Sequence, residues 1–550
     1  DFEGALCQFL QYCSNSLVTH LIEVLTVAYR TLTNCSRDCN VAARMLLIGL
    51  YYLLLGCLSI YGLHRAVLLY FYFTGCGQFD LRALGNPNQK NSYIPRITVQ
   101  LPVFNERFVV SKAIDSLSRL RYPRDRFEIQ VLDDSTDETT NIAQAAVRSW
   151  RSKGISIQYR HRASRTGFKA GALAEGLREA TGDLVAVFDA DFLPEPNFLE
   201  RVVGVFDNPC IGMVQARWDH SNRDHSLLTR LQALFLDGHF VLEHGGRFRG
   251  GCFFNFNGTA GVWRRAAIDS AGGWHTDTLT EDLDLSYRAQ LAGWQFVFLP
   301  DVAVPAELPI DMTAFKSQQH RWAKGSIQTC LKVLPTILRS SLPLRTKTEA
   351  CFHLTANFNY LLLVPFCVLL VPVLVMRFQS DTATDLVFID FFLLSAAMLS
   401  VANFYLVSQR ELSPNWWRRS LDIPALIALS LGLSVNNAMA VIEGLTGRTG
   451  NFVRTPKYGS SVVGGVRSGY ARPASWLVWV EMCFALYFTG ALVFAIVVGL
   501  YLAVPVLALF QFGFIYASIA SLAQQSTQTR VMPSTSSAPS FVADEGKYRS

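Results

Sequence analysis

The chain has 550 residues, half of them hydrophobic and only 17% charged, with a formal net charge of +6. That length together with a positive mean hydropathy excludes one compact soluble domain and points to a membrane protein. The basic excess fits loops on the inner face of a bilayer, and no Lys/Arg tract resembles an arm that would bind nucleic acid.

The N-terminal segment, residues 1–44, holds Cys7, Cys13, Cys35 and Cys39 and an amphipathic stretch at 16–30. The cysteines show no metal-ligand spacing and read as small buried hydrophobes. The sequence opens at Asp1 without the charged start of a signal peptide, so the natural chain is expected to begin earlier. From Met45 to Phe73 runs an apolar stretch long enough to span a bilayer, which takes about 20 residues. Its one charge, Arg65, stands beside His64, and that end is expected near an interface or inside the protein.

From residue 97 the texture changes to short apolar runs, ITVQLPVF, FEIQVLDD, ISIQYRHR, LVAVFDAD, IGMVQAR and QFVFLPD, the early ones separated by helical stretches. This alternation predicts a parallel α/β sheet covered on both faces, with ligands beyond the carboxyl ends of the strands. Asp133-Asp134 and Asp189-Ala190-Asp191 fall at such ends. Ser135 to Glu138 reads as a capping box opening the next helix.

After residue 350 come apolar runs at about 352–376, 386–408, 423–443, 476–498 and 500–522. The loops 409–420 and 446–475 are both basic, which places both on the cytoplasmic side. The run between them, with Asn436, Asn437 and Glu443, is then an interfacial helix rather than a span. The resulting division is a span at 45–76, a soluble domain at 77–310 and interfacial helices at 311–349. It continues with two spans at 350–408, an interfacial helix and loop at 409–475, two spans at 476–522 and a Ser/Thr/Gln-rich disordered tail at 523–550.

Three groups of residues carry chemistry. Asp189 and Asp191, alternating at a strand end, would face one side and suit a hard divalent cation, Mg²⁺ or Mn²⁺. Such acids also cap turns. Asp282, in Thr280-Glu281-Asp282-Leu283-Asp284 at the start of a helix, suits a general base. A helix N-terminus lowers its pKa and neighbouring acids raise it, so the balance stays open. In Gln318-Gln319-His320-Arg321-Trp322 a rigid cation and a large aromatic plane stand together, fit for a diphosphate and a sugar face, or for a membrane interface. Lys169 is a second phosphate candidate.

In order, LPVFNE, VLDDSTD, GFKAGAL, VFDAD, FFNFNGTAGVWRR, LTEDLDLSYRA and QQHRW resemble the family-2 processive β-glycosyltransferases, above all the cellulose-synthase-like A and C enzymes, almost continuously from about 97 to 330. The resemblance implies a cytoplasmic GT-A, Rossmann-like domain inserted in an α-helical transmembrane domain. It implies Asp282 as catalytic base, and donor contacts from Glu106, Asp133 or Asp134, Lys169, Asp189, Asp191 and Arg321, the two DxD acids through metal. It implies acceptor contacts from Asn255, Asn257, Gly258, Glu281, Gln318 and Trp322. Phe452-Val453-Arg454-Thr455-Pro456-Lys457 is similar to the family's gating loop, which would bring Thr455 and Lys457 to the phosphates.

The implied donor is GDP-mannose or UDP-glucose and the implied acceptor a growing β-linked glycan. The wording of the flanks resembles bacterial members more than plant ones, implying a bacterial inner membrane. Two other readings keep many of the same motifs: a synthase that adds one sugar to a lipid, and a non-catalytic transporter or scaffold.

Overall fold

The computed structural model describes residues 41–75, 94–378, 383–447 and 475–531. The expectations for residues 1–40 and for Thr455 and Lys457 therefore lie outside the described residues.

Helix α1 (Val41–Thr74) leads to a seven-stranded sheet. Its strands are β1 (Ile97–Val103), β2 (Phe127–Asp133), β3 (Ile157–His161), β4 (Leu184–Val187), β5 (Ile211–His220), β6 (Gly261–Arg264) and β7 (Gln295–Ala306), in the order β3-β2-β1-β4-β6-β5-β7. The sheet is mixed rather than parallel. β6 pairs antiparallel with both β4 and β5 and was not anticipated as a strand, because GVWR is only four residues long and sits inside a glycine- and asparagine-rich motif. The parallel pairs β1–β2, β2–β3, β1–β4 and β5–β7 account for the apolar runs, since strands covered on both faces need no alternation. Val99, Leu101, Ile129, Val131, Val185 and Val187 are almost wholly buried.

The chain leaves β1 toward β2 on one side and returns to β4 on the other. That reversal opens a crevice at the carboxyl ends of these strands. β7 runs on past a register irregularity against β5 to Ala306, carrying the chain to the same edge.

The helices that matter below are α2 (Thr139–Ser152), α3 (Phe168–Glu179), α4 (Leu227–Gly238), α5 (Glu281–Leu291), α6 (Met312–Arg339), α7 (Leu344–Thr355) and α8 (Phe358–Phe378). They continue with α9 (Ala383–Leu412), α10 (Ile423–Gly432), α11 (Ser434–Leu445), α12 (Leu477–Val497) and α13 (Val504–Val531). The expected capping box before α2 is absent. The helix starts at Thr139 with Glu138 in helical conformation, and Ser135 Oγ instead accepts the Asn105 N–H at 2.8 Å. The close approach of the β1 and β2 loops competes successfully for that hydroxyl.

Among the described residues five helices are long and apolar enough to cross a membrane: Ala43–Thr74, Phe358–Phe378, Phe388–Leu412, Leu477–Val497 and Val504–Ala523. The helix expected over 423–443 is two pieces, bent by 46° at Leu433. Gly432, a poor helix former, ends the first. In the second, Asn436 donates to the Lys316 carbonyl at 3.1 Å, which ties it to α6. Helix α13 runs to Val531, not to the expected end at 522, because extending a helix that packing has already nucleated costs little, and three glutamines and an arginine in the continuation tolerate it.

Helices α10 and α13 cross at glycine. A Cβ on Gly513 would stand 2.0 Å from the Ala428 carbonyl oxygen, a backbone atom that has no rotamer to change. Gly513→Ala is expected to cost about 1–3 kcal/mol and lower the Tm of the detergent-solubilised protein. An unchanged Tm would contradict this crossing.

Candidate active site

The crevice at the strand ends is an open cleft. Glu106, Asp134, Lys169, Asp189, Asp191, Asn257, Gly258, Glu281, Asp282, Gln318, Arg321 and Trp322 line it. Residues from seven separated motifs thus meet on one surface because the sheet brings the β1, β2 and β4 loops together and α5 and α6 close the opposite side.

Asp133 and Asn255 do not line it. Asp133 is fully buried, and its carboxylate accepts from the Ser135 N–H, the Thr140 hydroxyl and the Tyr159 hydroxyl. Of the Asp133-Asp134 pair only Asp134 reaches the cleft, gripped by the Arg162 guanidinium at 2.6 and 2.5 Å. Asn255 is buried, with its side chain donating to the Phe256 carbonyl.

Asp189 and Asp191 are not within a strand, as alternation assumed. β4 stops at Val187, and the two acids occupy the turn beyond it. The turn is pinned from both sides, by Thr259 Oγ1 accepting the Asp189 N–H at 2.9 Å and by Asp191 accepting the Glu307 N–H at 3.3 Å. The two carboxylates reach the cleft through this turn rather than through a pleat. Lys169, on the first turn of α3, donates to Asp189 Oδ1 at 2.5 Å and to the Gly258 carbonyl at 2.9 Å. Burial opposes its charge, but Asp189, Glu281 and Asp282 more than offset it and raise its pKa.

Asp282 sits in the first turn of α5 and accepts the Leu283 N–H at 2.8 Å. The question left open by sequence is decided by burial. Desolvation first, then the neighbouring Glu281 carboxylate, push the Asp282 pKa up to about 7, against the pull of Lys169 and the helix N–H groups. Glu281 is itself raised, by burial above all. Asp284, the third acid, is fully buried and serves structure, paired with Arg288 at 2.7 Å and Lys332 at 3.0 Å.

Arg321 and Trp322 face the cleft from α6. Burial lowers the Arg321 pKa, and Glu281, Asp189 and Asp282 act in the opposite sense. Trp322 packs against an apolar wall with Ala233, Leu236 and Leu308. Sequence reasoning overlooked Phe104, Arg165, Trp218, His220 and Glu307, all of which line the cleft. Arg165 stacks on the Phe104 ring, its guanidinium carbon 3.3 Å from the centroid. The two lie 61 positions apart and belong to loops that only the sheet order brings together, so no local pattern marks them.

Residues 95–325 match the family model described as glycosyltransferase like family 2. The matched segment is similar to that family, and its mixed sheet is of the GT-A, Rossmann-like kind. Over 255 residues the chain is 47% identical to glucomannan 4-beta-mannosyltransferase 2 of Arabidopsis thaliana, the match covering 46% of this chain and 48% of that one. It is 44% identical over 260 residues to glucomannan 4-beta-mannosyltransferase 1 of Oryza sativa subsp. japonica, covering 46% and 50%. The chain thus spans about half the length of these relatives.

Among solved structures, a mannosyltransferase from Pyrobaculum calidifontis, in complex with GDP-Man and Mn²⁺, aligns at 21% identity and a TM-score of 0.44, covering 71% of this chain and 99% of that one. The plant relatives overturn the expected likeness to bacterial members, and nothing in them supports a bacterial inner membrane. The flanking phrases that suggested it are short and lie partly outside the motifs, where chance likeness is easy.

Proposed function

We propose that the chain is a membrane-embedded inverting hexosyltransferase. It moves a hexose from a nucleotide sugar, GDP-mannose or UDP-glucose, to the end of a β-linked glycan of the β-1,4-mannan or glucan type. The observation that carries this reading is a half-buried carboxylate of raised pKa, Asp282, sharing one cleft with the Asp189-x-Asp191 turn, Lys169 and Arg321. The names of the plant relatives favour mannose among the two sugars.

In this mechanism Asp282 takes the proton of an acceptor hydroxyl. The oxygen attacks the anomeric carbon opposite the diphosphate, the bond to the diphosphate breaks, and configuration inverts. Lys169 and Arg321 hold the departing charge in a site of low dielectric. Trp322, backed by its apolar wall, gives the acceptor sugar a flat apolar face. Asp189 and Asp191 would hold Mg²⁺ or Mn²⁺, which supplies charge to neutralise the leaving diphosphate. Two carboxylates with space left for phosphate oxygens suit such an ion, and the Lys169 ammonium seated on Asp189 marks a place that accepts a cation. The catalytic domain would face the cytoplasm, with the membrane helices passing the product outward.

The test supplies full-length protein in lipid with labelled GDP-mannose, then UDP-glucose, plus Mg²⁺ or Mn²⁺, and analyses product length and linkage. A β-linked oligomer is expected. A lipid carrying one sugar would leave the transferase reading and sink the polymer; no turnover of any nucleotide sugar would sink both.

The raised carboxylate also sets pH dependence. As an ionised base Asp282 works above its pKa, so transfer is expected to fall as pH drops through about 7. Glu281→Gln removes the neighbouring negative charge that holds the pKa up. It should move this acid limb to lower pH, read from the pH profile of kcat; a limb that stays put or rises would refute the coupling.

A further inference from the structure

Between α4 and the short helix Gly245–Arg249 the chain makes one π-helical turn, His239–His244. Such turns are rare and concentrate at functional sites. In an α-helix, positions i and i+5 point in different directions; in a π-turn they are hydrogen-bonded neighbours. Here the turn brings the rings of His239 and His244 to 4.5 Å between centroids.

Both rings hold the loop that ends at Gly258. His244 Nε2 donates to the Asn255 carbonyl at 2.9 Å. His239 Nε2 meets Asn257 Nδ2 at 2.9 Å, while its Nδ1 faces Glu243 Oε2 at 2.8 Å. The carboxylate fixes the proton on Nδ1, which leaves Nε2 as acceptor for the Asn257 amide. Burial, then His244, Arg247 and Arg65, keep the His239 imidazole neutral. Glu243 in turn is paired with Arg65 of α1 and Arg247. Asn257 Oδ1 is buried without a hydrogen-bond partner among the described residues, an arrangement that core stability alone does not favour. One residue further on, the Gly258 carbonyl takes Lys169, and Gly258 lies against Asp282.

We propose that His239 is a positioning residue: through Asn257 it sets the loop that places Gly258, Lys169 and Asp282 relative to the acceptor. The inference rests on the transferase reading above.

The test compares two substitutions in the full chain in lipid, with GDP-mannose as donor and a manno-oligosaccharide as acceptor. His239→Asn reaches Glu243 but not Asn257. His239→Gln reaches Asn257. The first is expected to lower kcat/KM for the acceptor about ten- to a hundredfold, with the donor KM unchanged. The second should recover most of that loss. Combined with Asn257→Ala, His239→Asn should add nothing to the loss from Asn257→Ala alone.

Wild-type behaviour of His239→Asn, equal losses in both His239 variants, additive losses or a matching rise in donor KM would each overturn the proposal. If His239→Asn does not fold, Asn257→Asp, which removes the donated N–H and leaves the histidine, is expected to show the same acceptor loss; wild-type behaviour there overturns it. Transfer by wild type with unaffected variants sinks only this inference; no turnover of either nucleotide sugar by wild type sinks the transferase reading and this inference with it.

Discussion

Asp282→Asn is expected to lose hexose transfer, by about 10²–10⁴-fold, while donor affinity stays near normal. The amide keeps the shape of the carboxylate and its hydrogen bond from the Leu283 N–H at 2.8 Å, so the start of α5 is preserved. What it removes is a carboxylate in the cleft whose pKa is raised to about 7 and which can therefore take a proton at working pH. Glu281 is also raised and lines the same cleft, which makes it the nearest rival for the role. The comparison is therefore between Asp282→Asn and Glu281→Gln. The first should abolish transfer at every pH; the second should shift the acid limb and leave substantial transfer above it. Donor binding measured by titration calorimetry separates loss of chemistry from loss of donor. Near-normal transfer by Asp282→Asn would remove it as the base.

How much of this was legible in the sequence depends on what each feature needed. The apolar runs identified six of the strands, because most of these strands are covered on both faces and are therefore rich in apolar residues. β6 was hidden: its four residues carry no period, and its pairing with β4 and β5 is a tertiary fact. The acids Asp189, Asp191 and Asp282 were picked out from residue type and spacing. The reason given for the first two, a shared strand face, was not the one the structure uses. A turn pinned by Thr259 and the Glu307 N–H brings them to the cleft. The pKa of Asp282 could not be read at all, since helix dipole and acidic neighbours pull in opposite directions and burial, the largest influence, is not local. The histidine pair of the π-turn was missed for a related reason. At α-helical spacing His239 and His244 would not share a face, so the sequence HFVLEH carries no sign that both meet one loop.

Gly258 gives the sharpest test of how tightly the base is held. Its φ is +80°, a conformation that side chains with a Cβ rarely adopt, and an added Cβ would lie 2.9 Å from Asp282 Oδ2 and 3.4 Å from Lys169 Nζ. Gly258→Ala therefore carries two separable penalties. The backbone strain is worth about 1–3 kcal/mol of stability. The contact with Asp282 is mild for folding, because the carboxylate end of a side chain can move aside, but that end is the reacting group. A displacement of even about 1 Å is enough to cost roughly a hundredfold in transfer. Gly258→Asn divides the two, since asparagine tolerates positive φ better than alanine while still presenting a Cβ to Asp282. Transfer should fall as far in Gly258→Asn as in Gly258→Ala, although its Tm should lie closer to wild type. If transfer instead tracks Tm across the two variants, strain rather than contact with the base is responsible, and the close placement of Gly258 against Asp282 plays no part in the chemistry.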